Sequence, residues 1–288
     1  VSRDAGPAVA VPDAPPEPKL GALRAELGAL GRVVVAFSGG ADSALVARVA
    51  TDVLGPDRVL CVTAVSASLA PDELADCRAL AGEWGLRWQT VATDELDDAT
   101  YVANGTDRCY HCKASLLAAL GPLAAAESAT VVLGVNTDDL GDHRPGQQAA
   151  SEAGARFPLV AAGLTKADVR AVSRRLGLRT WDKPAAACLA SRLPYGTPVT
   201  LGTLGAVAAA ESALRRLGFG QLRVRHYGDT ARIELDHAEL ADAVARRAEV
   251  VAAVRAAGYR YVTLDLEGFR SGNLNHVLAR GEDHEGTT

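Results

Sequence analysis

Apolar positions along this chain follow two rhythms. Unbroken apolar runs at 33–36 (VVVA), 59–65 (VLCVTAV) and 131–135 (VVLGV) read as short strands buried on both faces, the habit of a parallel sheet. A further strand is read at 88–93 (WQTVAT). Behind the first run, Leu45, Val46, Val49 and Ala50 recur at helical spacing, which predicts a helix starting near Ala41 or Asp42. Pro71 opens another helix, because proline suits a first turn, and Lys166 starts one that ends near Leu176. Strands and helices alternating in this way define an α/β fold, a doubly wound parallel sheet with ligands expected outside the carboxyl ends of its strands.

The rhythm changes near residue 195. Thr200 caps a helix running to about Leu217, and two short strands flank Gly228-Asp229. Another helix is read from about His237 to Ala257, followed by the strand YVTLDL. That order, αββαβ, predicts a smaller C-terminal α+β domain. The expected division is a tail at 1–19, an α/β domain at 20–194, the α+β domain at 195–275 and a second tail at 276–288. A two-residue Gly-Asp loop is a hairpin signal. It pairs Tyr227 with Thr230, Arg225 with Arg232, and Arg223 with Glu234. Leu222, Val224, His226, Ala231, Ile233 and Leu235 then share an almost wholly apolar face. The other face carries Arg223, Arg225, Arg232 and Glu234. Like charges across a ladder destabilise it, so this face either invites an anion, which guanidinium forks suit, or is a solvated surface with one salt bridge.

Composition narrows the function. The chain has 288 residues, 48% of them hydrophobic, and a formal net charge of −5. No basic block stands out, which argues against a protein whose main task is gripping nucleic acid, and no apolar run reaches the length of a membrane span. Residues 1–19 hold five prolines and no signal-peptide pattern, so they read as disordered. Five cysteines, an odd number in a chain without a secretion signal, point to a reducing cytoplasm. Cys61, inside an apolar strand, and Cys77, on the Leu74, Leu80 and Ala81 face of its helix, read as small buried hydrophobes.

The candidate chemistry lies in two places. FSGGADS follows the first strand: its glycines let the backbone turn sharply and approach a ligand, Ser38 and Ser43 add hydroxyl donors, and a helix N-terminus there suits an anion. The Gly-Lys-Ser/Thr ending of a Walker A loop and the GxGxxG fingerprint are both missing. The second place is cysteine-rich. Cys109 and Cys112 form CYHC beside Arg108, His111 and Lys113, and Cys188 stands in PAAACLASR, between the domains. A CxxC pair can be a redox dithiol, half of a zinc site or part of an iron–sulfur site. The pair does not follow a first strand, which weighs against a thioredoxin-type role, and a structural zinc would have only three cysteines and His111 to draw on. Three thiolates would leave one corner of a cubane cluster open to an exogenous sulfur ligand. Three unrelated thiols are the plain alternative. Lys113 and Arg108 would favour thiolate forms.

SGGADS resembles the SGGxDS loop of the PP-loop ATP pyrophosphatases, of the adenine nucleotide alpha hydrolase-like fold. Over residues 33–265 the chain resembles more specifically the LarE family, ATP-dependent sulfur transferases of nickel-pincer nucleotide biosynthesis. FSGGADS, RCYHCK, GVNTDDLGDHRPG, WDKPAAACLASRLPYG, AESALRRLGF and RVRHYGDTARIEL carry that resemblance, in order. It implies adenylylation of a carboxylate on pyridinium-3,5-biscarboxylate mononucleotide, then conversion to a thiocarboxylate, with ATP and Mg2+ as cofactors. By position it implies Ser38, Gly39, Gly40, Asp42 and Ser43 at ATP phosphates and magnesium, and Gly134, Asn136 and Asp138, with Asp142 and Arg144, around the nucleotide. It implies Ser191, Arg192, Arg223 and Arg225 at the substrate phosphate, and Glu211, Glu234 and Asp242 around a divalent ion. Relatives use two sulfur chemistries: a sacrificed cysteine, or a 4Fe–4S cluster on three cysteines with hydrosulfide on its open iron. Cys109, Cys112 and Cys188, with Lys113 beside them, fit the second. The implied partners are the mononucleotide and sulfide or another sulfur donor, with no nucleic acid and no membrane, in a cytoplasmic homo-oligomer. The rival readings are a tRNA-thiolating PP-loop enzyme, an ammonia-using NAD-synthetase-like ligase and a non-catalytic nucleotide-binding module.

Overall fold

The computed structural model describes residues 17–141, 145–184 and 187–270. In chain order the elements are α1 (Glu17–Leu30), β1 (Val33–Ala36), α2 (Ala41–Leu54), β2 (Val59–Val65), α3 (Pro71–Trp84), β3 (Trp88–Ala92), α4 (Ala99–Ala103) and α5 (Arg108–Ala126). There follow β4 (Thr130–Leu133), α6 (Pro145–Glu152), α7 (Pro158–Ala161), α8 (Lys166–Arg175) and α9 (Leu201–Arg216). The last are β5 (Leu222–Tyr227), β6 (Thr230–Leu235), α10 (Leu240–Ala245), α11 (Arg247–Ala256) and β7 (Tyr261–Leu264). The chain divides into two compact units, formed by the described residues of Val1–Ala64, Ala75–Thr93 and Lys113–Ala185, and of Val65–Leu74, Asp94–Cys112 and Ala186–Thr288.

The first unit is built on a sheet of strand order β3-β2-β1-β4, in which β1 runs parallel to both β2 and β4. Strand pleating sends alternate side chains to opposite faces. Val33, Val35, Val59 and Cys61 therefore join a core with α1, α2 and α8, while Val34, Leu60 and Val62 meet Leu120 and Ala124 of α5 on the other side. Helices on both faces explain why these strands read as unbroken apolar runs. α1 begins inside the stretch read as a tail, with Pro18 in its first turn, where the missing N–H is no loss. Its Leu20, Leu23 and Leu27 are buried.

The second unit has a sheet of order β5-β6-β7, antiparallel then parallel. The hairpin takes the register expected from its Gly-Asp turn: Tyr227 faces Thr230, Arg225 faces Arg232, and Arg223 faces Glu234. Its apolar face packs with Ala210 and Leu214 of α9 and with Val250 and Val254 of α11. One expectation is corrected here. The helix read from His237 to Ala257 is broken at Arg246, whose ψ of 23° leaves the helical range, so α10 and α11 are separate. The second compact unit also takes in Val65–Leu74 and Asp94–Cys112, where Tyr101 and Cys112 pack with Leu189, Ala190, Leu193, Val199 and Leu204. The Val199 and Gly196 amides donate to the carbonyls of Val102 and Asn104, and that of Leu189 to Ser68.

Candidate functional site

The phosphate loop lies between β1 and α2. Gly39 has φ of +67°, and a Cβ there would come within 2.9 Å of Cys77 Sγ, so only glycine makes this turn without strain. Gly40 is the N-cap of α2 and offers no side-chain cap to the helix amides, which leaves them directed at the loop's concavity. The two serines brace the loop from within: Ser43 Oγ donates to Gly40 O at 3.2 Å, accepts from the Ser38 amide at 3.2 Å and lies 3.0 Å from Ser38 Oγ. Cys77 is buried against the loop, and burial lifts the buried Cys61 thiol to a pKa of about 12, so both are structural, as their patterns indicated.

The end of β4 completes this side of the unit. Gly134 has no room for a side chain: a Cβ would stand 2.5 Å from Ser43 N and 2.7 Å from Asp42 C. Its glycine is required by this close approach of backbone, whether or not a nucleotide is near. Asn136 is buried and donates to Asp42 Oδ1 at 3.1 Å, while its own side-chain oxygen accepts from the Asp138 amide at 3.0 Å. Asp138 Oδ2 accepts from the Lys166 amide at 2.9 Å, and Lys166 Nζ reaches Asp42 Oδ2 at 2.5 Å. Lys183 donates to Gly39 O at 3.2 Å and pairs with Asp76 at 2.7 Å. Asp76 is held below the usual carboxylate range, as contacts with Lys183 and Arg179 outweigh its burial. Lys166, Lys183 and Asp76 were not singled out from the sequence. The WDKP string was a motif, but nothing local ties Lys183 to a loop 144 residues away. Asp142 and Arg144 lie outside the described residues.

The cysteines belong to the second unit. Cys109 and Cys112 lie one turn apart at the start of α5, with Lys113 half-buried after them, and Cys188 stands immediately before the short 3-10 turn Leu189–Arg192. Cys109 and Cys188 are exposed. Cys188 acts on both Arg108 and Tyr101, Cys109 on Arg108 and Cys112 on Tyr101. Burial works against the charge of Arg108, but Cys188 and Cys109 outweigh it and raise the guanidinium pKa. Burial raises the Tyr101 phenol, with smaller contributions from Cys188 and Cys112. Arg108 is itself fixed by Asn104 Oδ1 at 2.5 Å and Ala190 O at 2.8 Å. His111 lies between Asp98 at 2.8 Å and Asp107 at 3.5 Å and is engaged there instead of completing a ligand set. Among the described residues, no three His, Cys, Asp or Glu side chains are arranged to hold a metal ion. The three thiols come from two segments of the chain, with Cys109 and Cys188 bearing on the buried Arg108 guanidinium.

The arginines do something the sequence did not show. Arg192 is buried and grips Glu211 through both forks, at 2.8 and 3.0 Å, and also donates to the carbonyls of Ala187 and Cys188. Arg225 grips Glu234 at 2.8 Å and donates to Ser191 O at 2.9 Å. Glu234 also takes Arg232 at 3.0 Å, so the anion between the facing arginines is this carboxylate. Glu211 accepts further from Arg215 and the Val224 amide, and exposed Asp242 pairs with Arg246. Each of Glu211, Glu234 and Asp242, the carboxylates implied around a divalent ion, is thus paired with an arginine. Arg223 donates to Leu222 O at 2.8 Å. Burial and the neighbouring cation of Arg192 lower its pKa to about 10, and it lies over Phe269 at 5.0 Å. Ser191 Oγ donates to Cys188 O.

A glycine-rich loop leading from a parallel strand into an uncapped helix, with an acid in its first turn, defines a PP-loop enzyme that uses ATP. The NAD synthase family matches residues 23–114, which include that loop. The chain is 43% identical over 265 residues to the pyridinium-3,5-bisthiocarboxylic acid mononucleotide synthase of Lactiplantibacillus plantarum, covering 92% of this chain and 96% of that protein. It is 48% identical over 267 residues to an uncharacterised protein of Synechocystis, covering 92% and 99%. The chain belongs to the LarE family of ATP-dependent sulfur transferases.

Proposed function

We propose that this enzyme adenylylates a carboxylate of pyridinium-3,5-biscarboxylate mononucleotide and converts it to the thiocarboxylate. The observation that carries this reading is likeness along nearly the whole chain to the synthase of that name, joined to an intact phosphate loop. A carboxylate oxygen is a poor leaving group. Attack of that oxygen on the α-phosphorus of ATP expels pyrophosphate and leaves an acyl-adenylate, from which sulfur can displace AMP. In this reading the loop amides with Ser38, Gly39, Gly40 and Ser43 hold the phosphates, and Asp42 faces the magnesium that ATP carries. Gly134, Asn136 and Asp138 shape the nucleotide side. An NAD-synthetase-like ligase is less favoured, because the NAD synthase match ends before Cys188 and before the hairpin.

Sulfur would come through Cys109, Cys112 and Cys188, with Lys113 beside them. These thiols would hold a 4Fe–4S cluster, which when bound offers a site for exogenous sulfide. Arg108, donating to Ala190 O, orients the Cys188 segment, and the Arg192 and Arg225 contacts hold the same segment from its other carbonyls. Arg223 and Ser191 are the side chains that best suit the substrate phosphate, because a guanidinium whose charge is disfavoured by burial and like charges gains most from an anion. The net charge of −5 supports a small-molecule substrate over a nucleic acid. Asp42→Ala should abolish pyrophosphate release from ATP while leaving the circular dichroism and melting of the fold intact. Undiminished release by that variant would remove the adenylylation reading.

A further inference from the structure

Two ammonium groups stand at the N-terminus of α2, where the helix dipole is positive and a cation is disfavoured unless an anion joins it. Lys183 is tied there to Gly39 O and Asp76. Lys166 is tied to Asp42, the carboxylate read above as facing magnesium, with Nζ at 2.5 Å from Oδ2. An oxygen holding an ammonium at that distance is not open to a divalent ion, which would approach it to about 2.1 Å and bring two cations onto one atom. The backbone at Lys166 is fixed: Thr165 and Asp168 form a reciprocal capping box, and the Lys166 amide donates to Asp138. Its side chain is long and 32% exposed, so the ammonium can change partner while the helix start stays in place.

We propose that Lys166 is a further catalytic residue, one that guards Asp42 in the nucleotide-free enzyme and moves to the β- and γ-phosphate oxygens when ATP and its metal arrive. In the transfer, the substrate carboxylate oxygen bonds to the α-phosphorus. The bond from that phosphorus to the bridging oxygen breaks, and its electron pair leaves with pyrophosphate. Lys166 keeps its proton throughout and pairs with the charge that gathers on the leaving oxygens, a preorganised stabilisation of the kind that dominates phosphoryl transfer. The same ammonium thus does two things in sequence. It neutralises Asp42 before the metal binds, and it neutralises pyrophosphate afterwards.

The inference rests on the ATP-site reading, and competition makes it testable without turnover. Mn2+ binding to the full chain without nucleotide, followed by electron paramagnetic resonance, should tighten about tenfold in Lys166→Met, the worth of one lost charge-assisted contact. Lys166→Arg, which keeps the charge, should bind Mn2+ like the wild type, and Asp42→Asn should lose the site. In the same Lys166→Met protein, pyrophosphate release should fall by about 10²-fold or more. A purely structural lysine would not make metal binding tighter as activity falls. Unchanged or weaker Mn2+ binding by a Lys166→Met protein that melts like the wild type overturns the proposal, and Lys166→Gln replaces it if the first variant does not fold. Binding of α,β-methylene ATP separates the two readings. A wild type that fails to bind it with Mn2+ loses the ATP site altogether. Normal binding, with Mn2+ affinity unmoved in the variant, removes only the role of Lys166.

Discussion

Glu211 is fully buried and accepts from Arg192, Arg215 and the Val224 amide. Burial raises its pKa, but contacts with Arg192 outweigh that and hold it below the usual carboxylate range. A carboxylate with a depressed folded pKa stabilises the fold above its unfolded pKa, and that contribution is lost as pH falls through the folded value. Glu211→Gln leaves the Arg192 guanidinium buried without its counter-charge, so urea denaturation at neutral pH should show a loss of about 3–5 kcal/mol. The gap between variant and wild type should shrink as pH drops below about 4.5, the ordinary glutamate range. A gap that stays constant to pH 3 would mean the pair contributes nothing to acid stability. The family resemblance implied Glu211 at a divalent ion, and its arginine partners were not legible, because a carboxylate carries no local sign of which cation will meet it. Gly134 and Asp42 show the same limit. Both lay in recognisable strings, yet the backbone packed on Gly134 and the ammonium on Asp42 arrive from far along the chain.

At the scale of elements, local pattern was strong wherever a turn or a cap is written in consecutive residues. Thr165 and Thr200 both form reciprocal capping boxes, and the Gly-Asp turn sets the hairpin register in full. Burial of the hairpin's charged face was not legible. Strand alternation says which residues share a face, but not what covers it, and Arg225 and Glu234 are buried there. The break at Arg246 is not written in the sequence, because the helical rhythm of apolar residues continues across it. The paired arginines divide by role. Arg192 and Arg225 grip carboxylates and the carbonyls of the Cys188 segment, while burial and the Arg192 cation lower the pKa of Arg223 to about 10. Arg223→Ala should therefore raise the Michaelis constant for the phosphorylated substrate by about ten- to a hundredfold, and leave that for ATP within about twofold. Equal constants for both substrates in that variant would return the hairpin face to a purely structural role.

At the scale of the whole molecule, the second unit holds all three candidate thiols for sulfur transfer. Protein purified without oxygen should carry iron and labile sulfide near four each per chain, with Cys188 intact by mass after many turnovers on external sulfide. An iron-free, active chain that becomes lighter by the elements of hydrogen sulfide at Cys188, with one product per chain, would sink the cluster and make Cys188 the donor. The sequence by itself determined the sheet, its helices, the phosphate loop and the hairpin, because each rests on the periodicity, glycines and caps of neighbouring residues. It also determined the family, through strings spread along the chain. Only the tertiary structure decided that Val65–Leu74 and Asp94–Cys112 belong with the C-terminal unit, and that Cys188 comes to Arg108 and Tyr101, on which Cys109 and Cys112 also bear. It alone decided which cation answers each carboxylate. The reason is physical: a charge or a thiol acts over a few ångströms of space, and its partner can come from 19 residues away, as Arg192 comes to Glu211, or from 124, as Lys166 comes to Asp42.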